Sequence, residues 1–374
     1  MDQKFTIAFY CSSVSWGGLE MNIFKRALWM KERGHHVFLY CVKDSLLHKE
    51  AIDQLEIQLI NRNKKGLDLK NARALKKSFV AKNIQFVWCT DKRDISVLGS
   101  AKKMSSNAFK LVYQQQMQFG IPKKDWWHTR IFRRIDIWIA PLNYLKDQVK
   151  EQTKFPIDRV HVIPLTMDID QFINALPTRI EAREYFNLKE SDVVVGMMGR
   201  IDYAKSQQFV KDVVSEIMPS YSNLKMLMVG NKTEGEWADY YDHLLRDIQE
   251  NHADGSIQIY PFMKKIGLFY QAIDIFVMAS KNETFGMVTV EAMLAGKKIA
   301  GTNAAGTKEL LHDGKHGYYF NWIDAPSLKK ALIEILDHPD EANKKAETAR
   351  VYAASAFSHI SECEKIEEIF THSS

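Results

Sequence analysis

Residues 273–301 read IDIFVMASKNETFGMVTVEAMLAGKKIAG. Ile273–Ala279 is an apolar run with β-branched and aromatic residues, which predicts a buried strand. A polar turn follows and opens at Phe285-Gly286. The stretch after it predicts a helix, which Gly296 ends. Lys297–Gly301 predicts the next strand. Strand, helix and strand in so short a span form a βαβ unit, so the two strands lie parallel in one sheet.

The same rhythm extends in both directions. Residues 4–11 (KFTIAFYC) predict a strand, Trp16-Gly17-Gly18 a turn, and Ile23, Phe24, Ala27, Leu28 and Met30 the apolar stripe of a helix that stops at Gly34. HVFLYCV, IQFVWC, KLVYQ, IDIWIA and RVHVI follow as strands with helical stretches between. After a break near Pro164–Pro177 the rhythm restarts with VVVGMMG, LKMLMVG, SIQIY, the opening βαβ unit and GYYF. The stretch from Pro339 to Phe370 predicts helix. The expected fold is α/β, with two Rossmann-like domains in tandem and no internal sequence repeat.

A length of 374 residues fits two or three domains. Gly and Pro together number only 27, which excludes a collagen-like or broadly disordered chain. The cysteines are Cys11, Cys41, Cys89 and Cys363, with no C-x-x-C among them. Three fall in strand-like runs, so buried reduced thiols in a reducing compartment are expected. There is no secretory signal pattern at the N-terminus and no apolar run of about 18 residues. Both features lead us to expect a cytoplasmic protein. Residues 1–166 hold 29 Lys and Arg against 15 Asp and Glu, or +14, while the rest holds 22 against 31, or −9. The basic half should meet something anionic.

Several chemistries lack their motif. No G-x-G-x-x-G follows the first strand of either half, and no G-x-x-x-x-G-K-[ST], G-x-S-x-G or H-E-x-x-H occurs. Asp168-Ile169-Asp170 has no third acidic neighbour and reads as a turn rather than a metal site. The turn before the 287–294 stretch is more informative. A helix N-terminus after a strand offers free amides and the positive end of a dipole to an anion. Glu283 lies in the turn and Glu291 about one turn into the helix. Both can face the crevice at the carboxyl ends of the strands. A carboxylate beside a phosphate site suits vicinal hydroxyls, as on a sugar or ribose.

With Asn282-Glu283-Thr284-Phe285-Gly286-Met287 and Glu291-Ala292-Met293-Leu294-Ala295-Gly296 in view, the chain resembles family 4 of the retaining glycosyltransferases. The resemblance extends over almost the whole sequence and is densest between Ile275 and Gly317. Gly199-Arg200…Lys205 is similar to the family's G-R-x-x-x-x-K segment, with Ser206 where a glycine is usual. Gly17-Gly18-x-Glu20 resembles its N-terminal glycine loop. Ala305-Gly306-x-x-Glu309 and Asp313-Gly314…Gly317 also fit. The resemblance implies a GT-B fold, in which two domains face each other across a cleft and the C-terminal helix crosses back to the N-terminal domain. The expected domains are 1–166 plus 357–374 for the acceptor and 167–356 for a nucleotide-sugar donor. The crossing is expected near Phe357.

The implied activity is transfer of a hexose from a UDP- or GDP-linked sugar to an acceptor hydroxyl with retention. The nucleoside diphosphate sugar is a co-substrate; no further cofactor and no metal are implied. Arg200 and Lys205 would hold the diphosphate, because a guanidinium and an ammonium neutralise pyrophosphate and its growing leaving charge. Glu283 joins them as a catalytic candidate. Glu291 would bind the ribose. Gly17, Gly18, Gly199, Thr284, Phe285, Gly286 and Met287 complete the donor site. Where many members carry a histidine, this chain has Gln114-Gln115-Gln116, which can donate to a sugar hydroxyl but cannot act as a base. Acceptors in the family are often saccharides or lipid-linked, serving polysaccharide, lipopolysaccharide or glycolipid synthesis. Two alternatives stand beside this reading: a nucleotide-sugar 2-epimerase of the same fold, and a non-catalytic nucleotide-sugar-binding subunit.

Lys123, Lys124, Trp126, Trp127, Arg133 and Arg134 mix cations with aromatics as interfacial segments do. They are the candidate contact with an anionic membrane surface, on the inner face of the cytoplasmic membrane. No nucleic-acid motif accompanies these charges.

Overall fold

Apolar runs too short for helices line up as two parallel sheets. The structure is a computed structural model that describes residues 3–62, 68–232 and 238–373. The chain divides into two compact units, Met1–Leu165 with His359–Ser374, and Thr166–Ser358.

The first unit alternates β1 (Thr6–Cys11), α1 (Gly18–Glu32), β2 (His36–Val42), α2 (Leu46–Ala51), β3 (Glu56–Ile60), α3 (Leu69–Ala81), β4 (Phe86–Cys89), α4 (Ile95–Met104), β5 (Lys110–Gln114), α5 (Trp126–Phe132), β6 (Ile137–Ala140), α6 (Asn143–Gln152) and β7 (Val160–Val162). The sheet order is β3-β2-β1-β4-β5-β6-β7, all parallel. Every strand expected from the sequence forms. β3 was not expected: it is an edge strand whose Glu56 and Leu59 face solvent, so it lacks the continuous apolar run of a central parallel strand.

The second unit continues with α7 (Ile169–Asn174), α8 (Arg179–Tyr185), β8 (Val193–Met198), α9 (Gln207–Ile217), β9 (Leu224–Val229), α10 (Ala238–Asn251), β10 (Ile257–Tyr260), α11 (Ile266–Ala272), β11 (Ile275–Met278), α12 (Met287–Leu294), β12 (Lys298–Thr302), α13 (Ala305–Leu310), β13 (Tyr318–Phe320), α14 (Ala325–Asp337) and α15 (Pro339–Ala356). Its order is β10-β9-β8-β11-β12-β13. The first six strands of each unit are therefore wound in the same order, without a sequence repeat to announce it. Both are the α/β Rossmann-like arrangement that the alternation implies.

The last helix, α16 (His359–Ser373), belongs to the first unit. Buried Arg26 pairs with Glu362 and also donates to Gln114 Oε1 at 2.7 Å. Glu367 accepts from Arg33 Nη2 at 2.7 Å and meets His35 Nε2 at 2.8 Å. The Phe370 ring stacks on Phe86 with centroids 3.7 Å apart. The dividing point differs slightly from the expected one. Phe357 lies in the second unit, where its buried ring meets Phe285 edge-on at 5.7 Å and Tyr352 at 5.5 Å. The first boundary falls after Leu165 rather than Thr166. Thr166 lies one residue before Met167, whose N–H donates to Phe357 O at 3.1 Å.

The cysteines are free and buried, Cys11, Cys41 and Cys89 within β1, β2 and β4. Burial pushes the Cys11 and Cys41 thiols up to about 12, which makes them poor nucleophiles. Asp168 caps α7, accepting from Gln171 N at 2.9 Å, the role of a turn residue.

Candidate functional site

In the second unit the strand order reverses between β8 and β11, and the loops after these two strands carry the candidate donor residues. In an open parallel sheet a ligand crevice forms at that switch point, outside the carboxyl ends of the strands.

The loop after β8 begins at Gly199, whose φ of +144° favours glycine. Gly230 is confined for another reason: a Cβ there would sit 1.8 Å from Gly199 O. Arg200 is 72% exposed and lies 3.9 Å from Asp202 Oδ2. Asp202 caps the short turn Tyr203–Lys205, accepting from Lys205 N at 3.2 Å. Ser206 follows in the left-handed region, with φ of +58°. That conformation explains why glycine is usual after this lysine. The serine is held by its hydroxyl, which accepts from Trp322 Nε1 at 2.9 Å. Lys205 itself is fixed, its Nζ 2.5 Å from Glu283 Oε2 and 3.1 Å from Ser280 Oγ.

The loop after β11 thus meets the loop after β8 through Lys205. A second tie runs between main chains, from Lys281 N to Ala204 O at 3.1 Å. Gly306 clamps the loop from the other side. Its N–H donates to Glu283 O at 2.9 Å, and a Cβ on it would stand 2.8 Å from Thr284 O. No other residue fits there without moving the loop. Phe285 anchors the turn by burial, and Gly286 caps α12 with φ of +93°. α12 starts at Met287, so its first amides face the polar turn. Thr289, in the first turn, has a buried hydroxyl with no hydrogen-bond partner among the described residues. Glu291 is half-buried, and its Oε2 accepts from the Tyr270 hydroxyl at 2.6 Å. Burial, then the Glu291 charge, holds the Tyr270 hydroxyl well above its ordinary range, so it stays a donor. The tyrosine aims the carboxylate.

The structure therefore brings Lys205, Glu283, Thr284, Phe285, Gly286 and Met287 to one locus with Gly199 and Arg200. Ser280, Tyr270, Trp322 and Thr289 went unnoticed in the sequence. Tyr270 lies 21 positions from Glu291 in another helix, and no spacing rule connects them.

In the first unit, Gly17 and Gly18 precede the body of α1. Neither has a positive φ, and a Cβ on Gly18 would meet nothing within 4 Å. Their missing side chains leave the helix start bare. Glu20 accepts from Gly17 N at 3.0 Å. Gln114 and Gln115 are fully buried. Gln115 Oε1 accepts from Trp138 Nε1 at 3.1 Å and Gln114 Oε1 from Arg26. Two of the three glutamines are therefore structural, and the expectation of a sugar-facing donor narrows to half-buried Gln116, which accepts from Asn22 Nδ2 at 3.0 Å. Trp126 and Trp127 are exposed at 70% and 45%, and Lys124 and Arg133 are exposed. Lys123 and Arg134 are half-buried. Among the described residues no helix is long and apolar enough to cross a membrane.

Comparison with known proteins bears on the fold and the family. A family model described as Glycosyltransferase Family 4 matches residues 16–171, and one described as Glycosyl transferases group 1 matches residues 178–352. A D-inositol 3-phosphate glycosyltransferase of Corynebacterium urealyticum is 25% identical over 201 residues, 52% of this chain and 47% of that protein. The chain spans about half the length of the curated relatives it matches. Among solved structures, a glycosyltransferase from Rickettsia africae superposes with TM-score 0.88 at 22% identity, covering 99% of this chain and 98% of that one. The Anabaena protein HepE in complex with UDP and glucose superposes with TM-score 0.79 at 18% identity, covering 98% and 99%. Two family models in succession, on a chain with two sheets of matching winding, lead to one assignment: this chain belongs to the glycosyltransferases, family 4 over its first half and group 1 over its second.

Proposed function

We propose that this protein transfers a hexose from a UDP- or GDP-linked sugar to an acceptor hydroxyl with retention of configuration. The observation that carries the reading is the Lys205–Glu283 pair, which joins the loops after β8 and β11 beside the start of α12. An ammonium that, among the described residues, meets a partly exposed carboxylate and a hydroxyl can turn to a diphosphate, and Arg200, 72% exposed and 3.9 Å from Asp202 Oδ2, can close on it from solvent. These two cations and the first amides of α12 supply the charge stabilisation that a leaving diphosphate requires. No metal is needed for that role. Glu291, aimed by Tyr270, takes the ribose hydroxyls. The likeness to a protein bound to UDP and glucose supports a uridine nucleotide and a hexose.

The acceptor is a saccharide or a lipid-linked molecule, in synthesis of a cell-surface polysaccharide, lipopolysaccharide or glycolipid. The +14 charge of residues 1–166 suits work at the cytoplasmic face of an anionic membrane. Nucleic acid is not part of this reading.

The test is a panel of UDP- and GDP-hexoses with saccharide and glycolipid acceptors, read by nucleoside diphosphate release and by the anomeric configuration of the product. Transfer with retention that survives excess chelator is expected. Release of nucleoside diphosphate without acceptor, with free epimerised sugar, would favour the epimerase. Binding without turnover on any pair would favour a binding subunit.

A further inference from the structure

A cavity of about 410 Å³ opens in the first unit between α4, α5 and the start of α3. Its walls carry three cations, Lys103, Arg130 and Arg134, and its rim carries Trp126 and Trp127. None of the three cations makes an ion pair or hydrogen bond to a carboxylate among the described residues. The nearby acids are taken: Asp136 holds Lys102, and Asp125 meets His128 Nδ1 at 2.5 Å.

Arg134 is built into the wall rather than draped on it. Its stem crosses Gly99, where a Cβ would stand 2.5 Å from the Arg134 Cδ. Its Nη1 donates to Ser100 Oγ at 2.9 Å. Burial, and then the neighbouring Arg130, push this guanidinium below its ordinary range. Arg130 lies over the Trp126 ring, 5.4 Å from its centroid. Two guanidiniums that line one cavity without a carboxylate partner among the described residues suit a phosphate, which takes charge-assisted, bidentate bonds from such groups.

The surroundings are apolar where a soluble anion site would be polar. Met104 and Ile131 line the cavity. Exposed Trp126 and Trp127 beside cations that have no carboxylate partner among the described residues match the chemistry of a lipid headgroup and its first methylenes.

We infer that this cavity seats the phosphate headgroup of an amphiphile in a membrane surface, Arg130 and Arg134 binding the phosphate while Trp126 and Trp127 enter the headgroup layer. The inference rests on the membrane-surface reading of the first unit and gives it a defined site. It does not depend on sugar transfer, because it is tested without nucleotide sugar.

The full chain is measured for binding to vesicles of phosphatidylcholine alone and to vesicles containing phosphatidylglycerol, with quenching by bromine-labelled chains as a second readout. Binding is expected to need phosphatidylglycerol, to fall with salt, and to quench tryptophan fluorescence. Each neutralised surface cation should weaken binding about fivefold. Arg130→Gln with Arg134→Gln should weaken it about tenfold more than Lys123→Gln with Lys124→Gln, because charge-assisted pairs in a cavity exceed screened surface attraction. Trp126→Ala, a change at a side chain 70% exposed, should reduce quenching, which guards against loss through misfolding of the Arg134 variant. Equal loss from the two cation pairs, unaltered quenching in Trp126→Ala, or no binding at low salt would overturn the site. So would release of the protein from vesicles by millimolar inorganic phosphate, the mark of a soluble-anion site.

Discussion

The two units share a winding, and the switch-point loops of the second use charge differently from the α16 joint of the first. In the second unit the loops at the switch point are bound by an ion pair near the surface, Lys205 with Glu283. In the first unit the pairs that hold α16 join it to α1 and the turn after it: Arg26 with Glu362, both almost fully buried, and Glu367 with partly exposed Arg33 and buried His35. Its cations at and after α5 face solvent or line a cavity, Arg130 and Arg134 with no carboxylate partner among the described residues. The lesson is that one topology separates two uses of charge. Buried pairs hold an element in place, and half-exposed charges remain available to a ligand.

The largest expected effect breaks the buried pair. Glu362→Ala leaves the Arg26 guanidinium uncompensated and should cost ~3–5 kcal/mol, read as a fall in the unfolding midpoint. Lys205→Met removes a partly exposed pair and should cost no more than ~1 kcal/mol of stability. If both variants melt alike, the distinction between the two pairs fails.

Activity should invert that order. Lys205→Met and Arg200→Gln should each lower kcat ~10²–10³-fold, the scale for losing one preorganised charge at a leaving group. Donor affinity should change less, because diphosphate charge grows as the glycosidic bond breaks. A change confined to donor KM would contradict the role given to both residues.

Glu291→Ala should weaken donor binding by ~1.5–3 kcal/mol in calorimetry, the scale for hydrogen bonds to a charged group. Tyr270→Phe removes only the hydroxyl that aims the carboxylate and should lose ~1 kcal/mol in the same measurement. Unchanged affinity in Glu291→Ala would end the ribose assignment.

The smallest effect is a pH dependence. The Arg33 hydrogen bond, with help from His35, lowers the Glu367 carboxyl from 4.5 to about 2. A carboxyl depressed in the fold stabilises it above the unfolded value, and that contribution is lost as pH falls from 4.5 through about 2. Hydrogen exchange in α16 should quicken over that window. Glu367→Gln should flatten the dependence, and an unaltered profile in that variant would place the acid sensitivity elsewhere.

Much of this was legible in residue order. Apolar runs and their spacing marked every strand except β3, and the Asn282–Gly296 segment with Gly199-Arg200…Lys205 marked the candidate donor loops. These signals are local: a central parallel strand is apolar along its length, and a tight turn at a helix start demands particular residues. The charge asymmetry of the halves was also plain. Tertiary structure decided what joins distant positions. It placed Ser280 and Glu283 on Lys205, aimed Glu291 with Tyr270, clamped Thr284 with Gly306, and closed Gln114 and Gln115 into the core of the first unit. It assigned Phe357 to the second unit through Phe285, and it left Arg130 and Arg134 at one cavity with no carboxylate partner among the described residues. No sequence interval encodes those neighbours, because side-chain partners across a sheet are set by how the strands are ordered and packed, and strand order is not chain order.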